Sequence, residues 1–123
     1  MHIIEVFGRI FLSTIFLFEG INKIFNYEST IKYMESFNVP EYLAIPAIIV
    51  EIIFPLLLIT GYQTKLSALV LAIFTLATAL IFHTDFTNQM QLISFLKNFA
   101  IAGGFLILFI NGAGKYSLDH KFS

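Results

Sequence analysis

Four apolar runs, at about Ile3 to Phe25, Leu43 to Gly61, Lys65 to Thr84 and Ile93 to Gly112, dominate the chain. Each is close to the ~20 residues a helix needs to cross ~30 Å of hydrocarbon. Lipid offers no partner to an open backbone N–H or C=O, so runs of this length must satisfy their hydrogen bonds internally and read as helices rather than strands. Composition agrees: 58% hydrophobic and 12% charged residues in 123, with mean hydropathy +0.85, is too apolar for a soluble domain of this size. The expected fold is all-α, a four-transmembrane-helix antiparallel bundle, with residues 1–123 as a single integral membrane domain.

The punctuation fits these spans. Pro40 and Pro46 fall where the second should begin, Gly61 closes it, and Gly112 with Gly114 closes the fourth. Pro55 lies inside the second span and is expected to bend it. Gly61 to Lys65 is too short to do anything but reverse direction, so spans two and three should form an antiparallel hairpin. Asn26 to Tyr42 is the long connection. The first run lacks a basic leader and a small-residue exit, and so reads as a span rather than a cleaved signal. Loop cations set the direction: Lys65, Lys115 and Lys121 lie with the two termini, against Lys32 in the first loop, which places both termini in the cytoplasm.

Some functions are excluded at this stage. Net charge is -1 and the basic residues are dispersed, so there is no positive stripe for nucleic acid. Cysteine is absent, so thiolate metal sites and thiol redox couples are ruled out.

Ionisable residues inside the apolar runs are the informative exceptions, because an uncompensated charge in hydrocarbon costs roughly 2.5–3.5 kcal/mol on insertion scales. Helix contacts in lipid favour small residues, which mark inner faces. At spacings of three and four they pick out Arg9, Ser13, Phe16, Gly20 and Lys23 on span one, with Glu19 on its flank. The same rule gives Ala44, Ala47, Glu51 and Pro55 on span two, and Ala68, Ala72, Thr75, Ala79 and His83 on span three. On span four it gives Lys97, Ile101, Gly104 and Asn111, with Asn98 and Ala102 beside them. A rise of 1.5 Å per residue in alternating directions puts Glu19, Lys23, Glu51, His83 and Lys97 within about 12 Å of one membrane face. With His83 neutral their charges cancel, so Glu19, Lys23, Glu51, His83, Lys97 and Asn98 are the candidate polar cluster. Arg9 and Asn111 fall near the opposite face, where they can meet each other.

Each candidate has a structural alternative. Glu51 can form an ion pair with Lys97 or Lys23, and Glu19 can neutralise Lys23 four residues on. Both lysines can snorkel to the interface. Arg9 can hold a lipid phosphate. His83 is suited to hydrogen-bonding Glu51, Glu19 or a ligand. No metal site is expected, since His2 and His120 belong to the chain ends on the other face.

Several segments carry a resemblance to a known family: residues 8–23 (GRIFLSTIFLFEGINK), Glu51 after Val50, residues 61–65 (GYQTK), Phe82 with His83, residues 96–104 (LKNFAIAGG) and residues 114–119 (GKYSLD). In this order they resemble the DoxX family of small four-helix bacterial membrane proteins, which includes the small subunit of thiosulfate:quinone oxidoreductase. Family members often carry small residues such as Gly after the second-span Glu, where Phe54 and Pro55 stand here. The resemblance implies the bacterial inner membrane and a link to quinone-dependent sulfur oxidation or other membrane redox complexes. The function expected is thus a quinone-associated subunit of such a complex, with membrane lipids and protein partners around it. In it Lys97, Asn98 and His83 donate to the quinone oxygens, and Glu51 or Glu19 handles the proton. The residues themselves show no autonomous enzyme activity, so any catalytic role is that of an oxidoreductase subunit. Two other classes stand beside it: a non-enzymatic membrane assembly or scaffold protein, and a small transporter or proton conductor.

Overall fold

The computed structural model describes residues 2–112, 114 and 117–122, and it is helical throughout with no strand among them. In chain order the helices are α1 (His2–Phe25), α2 (Tyr27–Ser36), α3 (Ala44–Thr60), α4 (Thr64–Phe82), α5 (Gln89–Asn111) and α6 (Leu118–Phe122), with a 3-10 turn at Glu41–Leu43 leading into α3. Lys115, counted among the loop cations, and Tyr116 of the C-terminal motif lie outside the described residues.

Three segments are long and apolar enough to cross a membrane: Glu41–Thr60, Thr64–Phe82 and Gln89–Asn111. At 24 residues α1 is also long enough, but it carries Glu5, Arg9, Glu19 and Lys23 along its length. It packs chiefly on α3, while α4 packs chiefly on α5. The contacts give the directions. Arg9 near the start of α1 reaches the Leu58 carbonyl near the end of α3, and Lys23 near the end of α1 meets Glu51. The two helices therefore run in opposite senses. Asn98 of α5 likewise meets Thr75 and Thr78 of α4, while Gln91 meets His83 further along α4, so this pair is antiparallel as well.

The inner faces of α1, α3 and α4 lie where the small-residue spacing places them: Arg9, Ser13, Phe16, Gly20, Ala44, Glu51, Pro55, Ala68, Ala72, Thr75 and Ala79 are all buried. Small residues allow close backbone approach, which sustains van der Waals packing where lipid supplies no hydrophobic drive. At Gly20 a Cβ would stand 2.8 Å from Ile52 Cγ1 and 3.2 Å from Glu51 Cβ, so the α1–α3 approach depends on glycine there. Phe16, Leu58, Leu71 and Phe105 form the central cluster, in which the Phe16 and Phe105 rings lie 5.5 Å apart and join α1 to α5.

Two features differ from the sequence expectation. The long connection contains a helix: Tyr27, Ile31 and Met34 recur at helical spacing, and α2 buries Met34 while its remaining face is polar. A search for bilayer-length apolar runs passes over so short an amphipathic segment. On the fourth span, α5 begins at Gln89 rather than Ile93, because Asn88 Oδ1 accepts the Met90 N–H at 2.9 Å and caps a polar first turn. Pro55 does lie inside α3, where its missing N–H leaves the Glu51 carbonyl without the usual i+4 donor. As expected, α3 ends at Gly61, whose φ of +74° lets Tyr62 N–H return to the Leu57 carbonyl at 2.9 Å.

Candidate functional site

The candidate site is built around Glu51. Its helical phase on α3 aims the side chain at α1, and the carboxyl is fully buried. Gly20 admits α1 so closely that Lys23, three residues later on the same stripe, brings its Nζ to 2.5 Å from Glu51 Oε1. The lysine side chain stays 27% exposed, while its Nζ is held by the buried carboxylate. Glu51 Oε2 has no hydrogen-bond partner. A buried carboxylate oxygen without a donor is costly and calls for an explanation.

Beside it lie a cavity and the carboxyl of Glu19. A cavity of about 520 Å³ opens among α1, α2, α3, α4 and α5, with Glu51, Lys23, Glu19, Asn98, Thr75 and His83 contributing its polar lining. The volume lies in the range that holds small molecules, and most of the wall is apolar. Glu19, one turn before Lys23, is exposed, yet it lies within electrostatic reach of Glu51. On the α4–α5 side, Asn98 Nδ2 donates to Thr78 Oγ1 at 3.2 Å and to the Thr75 carbonyl at 3.4 Å, which fixes which way its amide points. His83, the residue closing α4, pairs its Nδ1 with Gln91 Oε1 at 3.0 Å. Over one end of the cavity α2 is held by rings: Tyr33 stacks on Phe82 at 5.3 Å, and Phe37 meets Phe82 edge-on at 5.0 Å.

The structure thus brings five of the six cluster candidates to one cavity and sets Lys97 apart. Lys97 is exposed on α5, because the buried residues Ala102 and Phe105 turn the helix so that Asn98, not Lys97, faces inward. The ion pair of Glu51 is accordingly with Lys23. His83 meets Gln91 rather than Glu51 or Glu19. Tyr33 and Thr78, which also line the cavity, were not among the sequence candidates. Thr78 has a readable signal, since it lies three residues past Thr75 on α4. Tyr33 depends on α2 folding back.

At the other end of the bundle, Arg9 and Asn111 do not meet. Asn111 is exposed and its Nδ2 donates to the Ile107 carbonyl of its own helix at 3.1 Å. Arg9 is buried and donates from Nη1 to the carbonyls of Leu58 at 3.1 Å and Ile59 at 3.4 Å, a cation at the negative end of α3. Beside it α6 completes the neighbouring helix. Asp119 accepts the Gln63 N–H at 2.7 Å and the Thr64 N–H at 2.8 Å, capping α4, and its own N–H donates to the Gly61 carbonyl at 2.8 Å. Partial burial pulls the Asp119 carboxyl upward, but the Thr64 and Gln63 amides and the Arg9 charge outweigh it and hold the group below its ordinary value. The sequence offered no sign of this cap, since donor and acceptor are more than fifty residues apart.

A hydrophobic helical chain whose buried charges are matched across helices, with a partly polar cavity between them, is an integral membrane protein of the small helical kind. The model of the DoxX family matches residues 4–84, and the chain belongs to that family. It is 40% identical to "Inner membrane protein YqjF" of Escherichia coli (strain K12) over 112 residues, covering 91% of this chain and 86% of that protein. It is 34% identical to "Inner membrane protein YphA" of the same organism over 126 residues, covering 97% of this chain and 90% of that protein. No solved structure gives a significant match.

Proposed function

We propose that the protein is a four-transmembrane-helix antiparallel bundle of the bacterial inner membrane with both termini in the cytoplasm, acting as a quinone-associated subunit of a membrane redox complex. The two relatives named as inner membrane proteins support the location. For α1 as the fourth span, the support is that its interior charges are matched within the bundle, Lys23 by Glu51 and Arg9 by the end of α3. Both termini then share one side, as four spans require.

The observation that carries the ligand reading is Glu51 Oε2, a fully buried carboxylate oxygen without a donor beside a largely apolar cavity. A ring-bearing, lipid-soluble molecule fits such walls, and one polar atom on it would satisfy the orphan oxygen. Glu51, Lys23 and Asn98 would hold a quinone's polar atoms, and bound quinone would supply two-electron, two-proton redox capacity. Glu51 and Glu19 stand where they can hold a proton at that head, and Tyr33, Phe37 and Phe82 limit the access of water at the α2 end. With no cysteine in the chain, a redox role draws its electrons through a bound cofactor or a partner.

The test is thermal stability of the purified protein in nanodiscs, titrated with a short-chain benzoquinone in both redox states. Stabilisation by either form, lost in Glu51→Gln, is the expected result, and no shift with either form would exclude the reading. One specific observation favours the assembly or scaffold reading instead: the Lys23–Glu51 bridge joins α1 to α3 whether or not a ligand is present. In that case Lys23→Met lowers folded yield, and no quinone changes stability.

A further inference from the structure

Each long helix gives one large apolar side chain to the layer beneath the cavity: Phe16 from α1, Leu58 from α3, Leu71 from α4 and Phe105 from α5. Phe16 is 5% exposed and the other three are fully buried. The two rings lie 5.5 Å apart, Ala68 and Ala72 pack between the helices at this level, and Phe16 itself forms part of the cavity wall. Every ionisable group that lines the cavity stands on one side of this layer. Glu19 and Lys23 follow Phe16 on α1, Glu51 precedes Leu58 on the antiparallel α3, His83 follows Leu71 on α4, and α2 adds Tyr33, while α5 contributes the uncharged Asn98. Of these, Glu19 and Tyr33 are exposed and Lys23 is partly so, which carries the polar wall out to the membrane face on which α2 lies.

On the other side of the layer the first polar side chains are Ser13 of α1 and Ser67 of α4, both fully buried and without a hydrogen-bond partner for their hydroxyls among the described residues. Beyond them come Arg9, Thr64, Asp119 and the α3–α4 turn. From Ser67 to Thr75 along α4, and from Leu58 to Glu51 along α3, the rise is about 10–12 Å. Thr75 offers no step across, since its hydroxyl turns back to the Leu71 carbonyl at 2.6 Å. A proton passes between groups at hydrogen-bond distance or through an intervening water, and a packed apolar constriction excludes water. The layer is therefore an insulator, and the way out from Glu51 leads through Glu19 and Lys23 toward the α2 end.

The geometry points to a one-sided cup: the Glu51 cavity exchanges water and protons with the membrane face that carries α2 and is sealed from the face of the α3–α4 turn. Naming the first face as the outer one rests on the topology proposed above, with both termini in the cytoplasm. A group that gains or loses a proton against Glu51 then trades it with the outer side alone, and the chain by itself conducts no protons across the bilayer.

The test uses the absence of cysteine, which lets single cysteines be labelled without background. Ala47 on α3 and Thr78 on α4 line the cavity, and Gln63 is exposed in the α3–α4 turn. The full-length Ala47→Cys, Thr78→Cys and Gln63→Cys proteins, in bacterial inner membranes, are treated with a membrane-impermeant trimethylammonium methanethiosulfonate, from the outer face in spheroplasts and from the cytoplasmic face in inverted vesicles. The expected result is modification of Ala47→Cys and Thr78→Cys from the outer face only, and of Gln63→Cys from the cytoplasmic face only. Modification of either cavity position from the same face as Gln63→Cys overturns the seal, and modification of neither position from either face overturns the opening to water. Gln63→Cys reacting from the outer face, with the cavity positions reacting from the other, overturns the outer assignment and upholds the seal. Proton flux through proteoliposomes of the unaltered protein requires no variant and should equal that of empty vesicles, and a higher flux overturns the seal. The quinone titration reads binding without regard to side, so its failure removes the quinone reading and leaves the cup standing.

Discussion

Glu51 and Lys23 form a bridge in which one partner is wholly enclosed and the other is partly wet, and the asymmetry predicts what their loss does. Lys23→Met leaves an uncompensated buried carboxylate and should destabilise by about 3 kcal/mol, near the low end for breaking a buried pair because the lysine is 27% exposed. Adding Glu51→Gln removes the stranded charge and should recover most of that loss. Denaturant or thermal unfolding in micelles checks the order, and a double variant less stable than Lys23→Met would exclude a true pair. Glycines give a second contrast at this scale. Gly20→Ala drives a Cβ into Ile52 and should destabilise by about 1–3 kcal/mol, whereas Gly103, with nothing within 4 Å of an added Cβ, should tolerate Ala and gain up to about 1 kcal/mol from helix propensity.

Among the elements, α6 has a role out of proportion to its five residues, because α4 has no capping side chain of its own. Asp119 supplies that cap from the far end of the chain while Arg9 holds the end of α3, so each dipole at the α3–α4 turn meets the opposite charge. Asp119→Ala should cost about 0.5–2 kcal/mol. The pH dependence follows from the direction of its shift. The folded carboxyl titrates below its ordinary value of 3.8, so its contribution is complete above that value and is lost as pH falls through the lower folded one. Protection of the Gln63 and Thr64 amides, taken relative to their intrinsic exchange rates, should thus stay high at neutral pH and fall below about pH 4, with the step absent in Asp119→Asn. The element that the sequence hid was α2. Its apolar side is too narrow to stand out beside bilayer-length runs, and its value as a roof comes from Tyr33 and Phe37 meeting Phe82, which no local pattern reveals.

For the whole molecule, topology is the property most open to test. If α1 spans, reporters fused to the N- and C-termini should report the same compartment, the cytoplasm, and a fusion in the α2–α3 connection should report the other. Opposite sides for the two termini would remove α1 from the set of spans. Much of this architecture was legible because the bilayer imposes its demands locally: a helix must be about twenty apolar residues long, and its small residues must lie on the side that meets other helices. Those demands are written into single stretches of chain, so the inner faces of α1, α3 and α4, the inward placement of Glu51 and the turn at Gly61 could be read without coordinates. On α5 the same reasoning placed Lys97 inward, since Ala100, Ala102, Gly103 and Gly104 are small on several sides and leave the phase of the helix open. Packing against Thr75 and Thr78 chose Asn98 instead. Tertiary structure alone also decided that Glu51 pairs with Lys23, that Arg9 holds the end of α3 rather than Asn111, and that Asp119 caps α4. Each of these depends on how far one helix slides and turns against another, a choice made by contacts between residues distant in the chain.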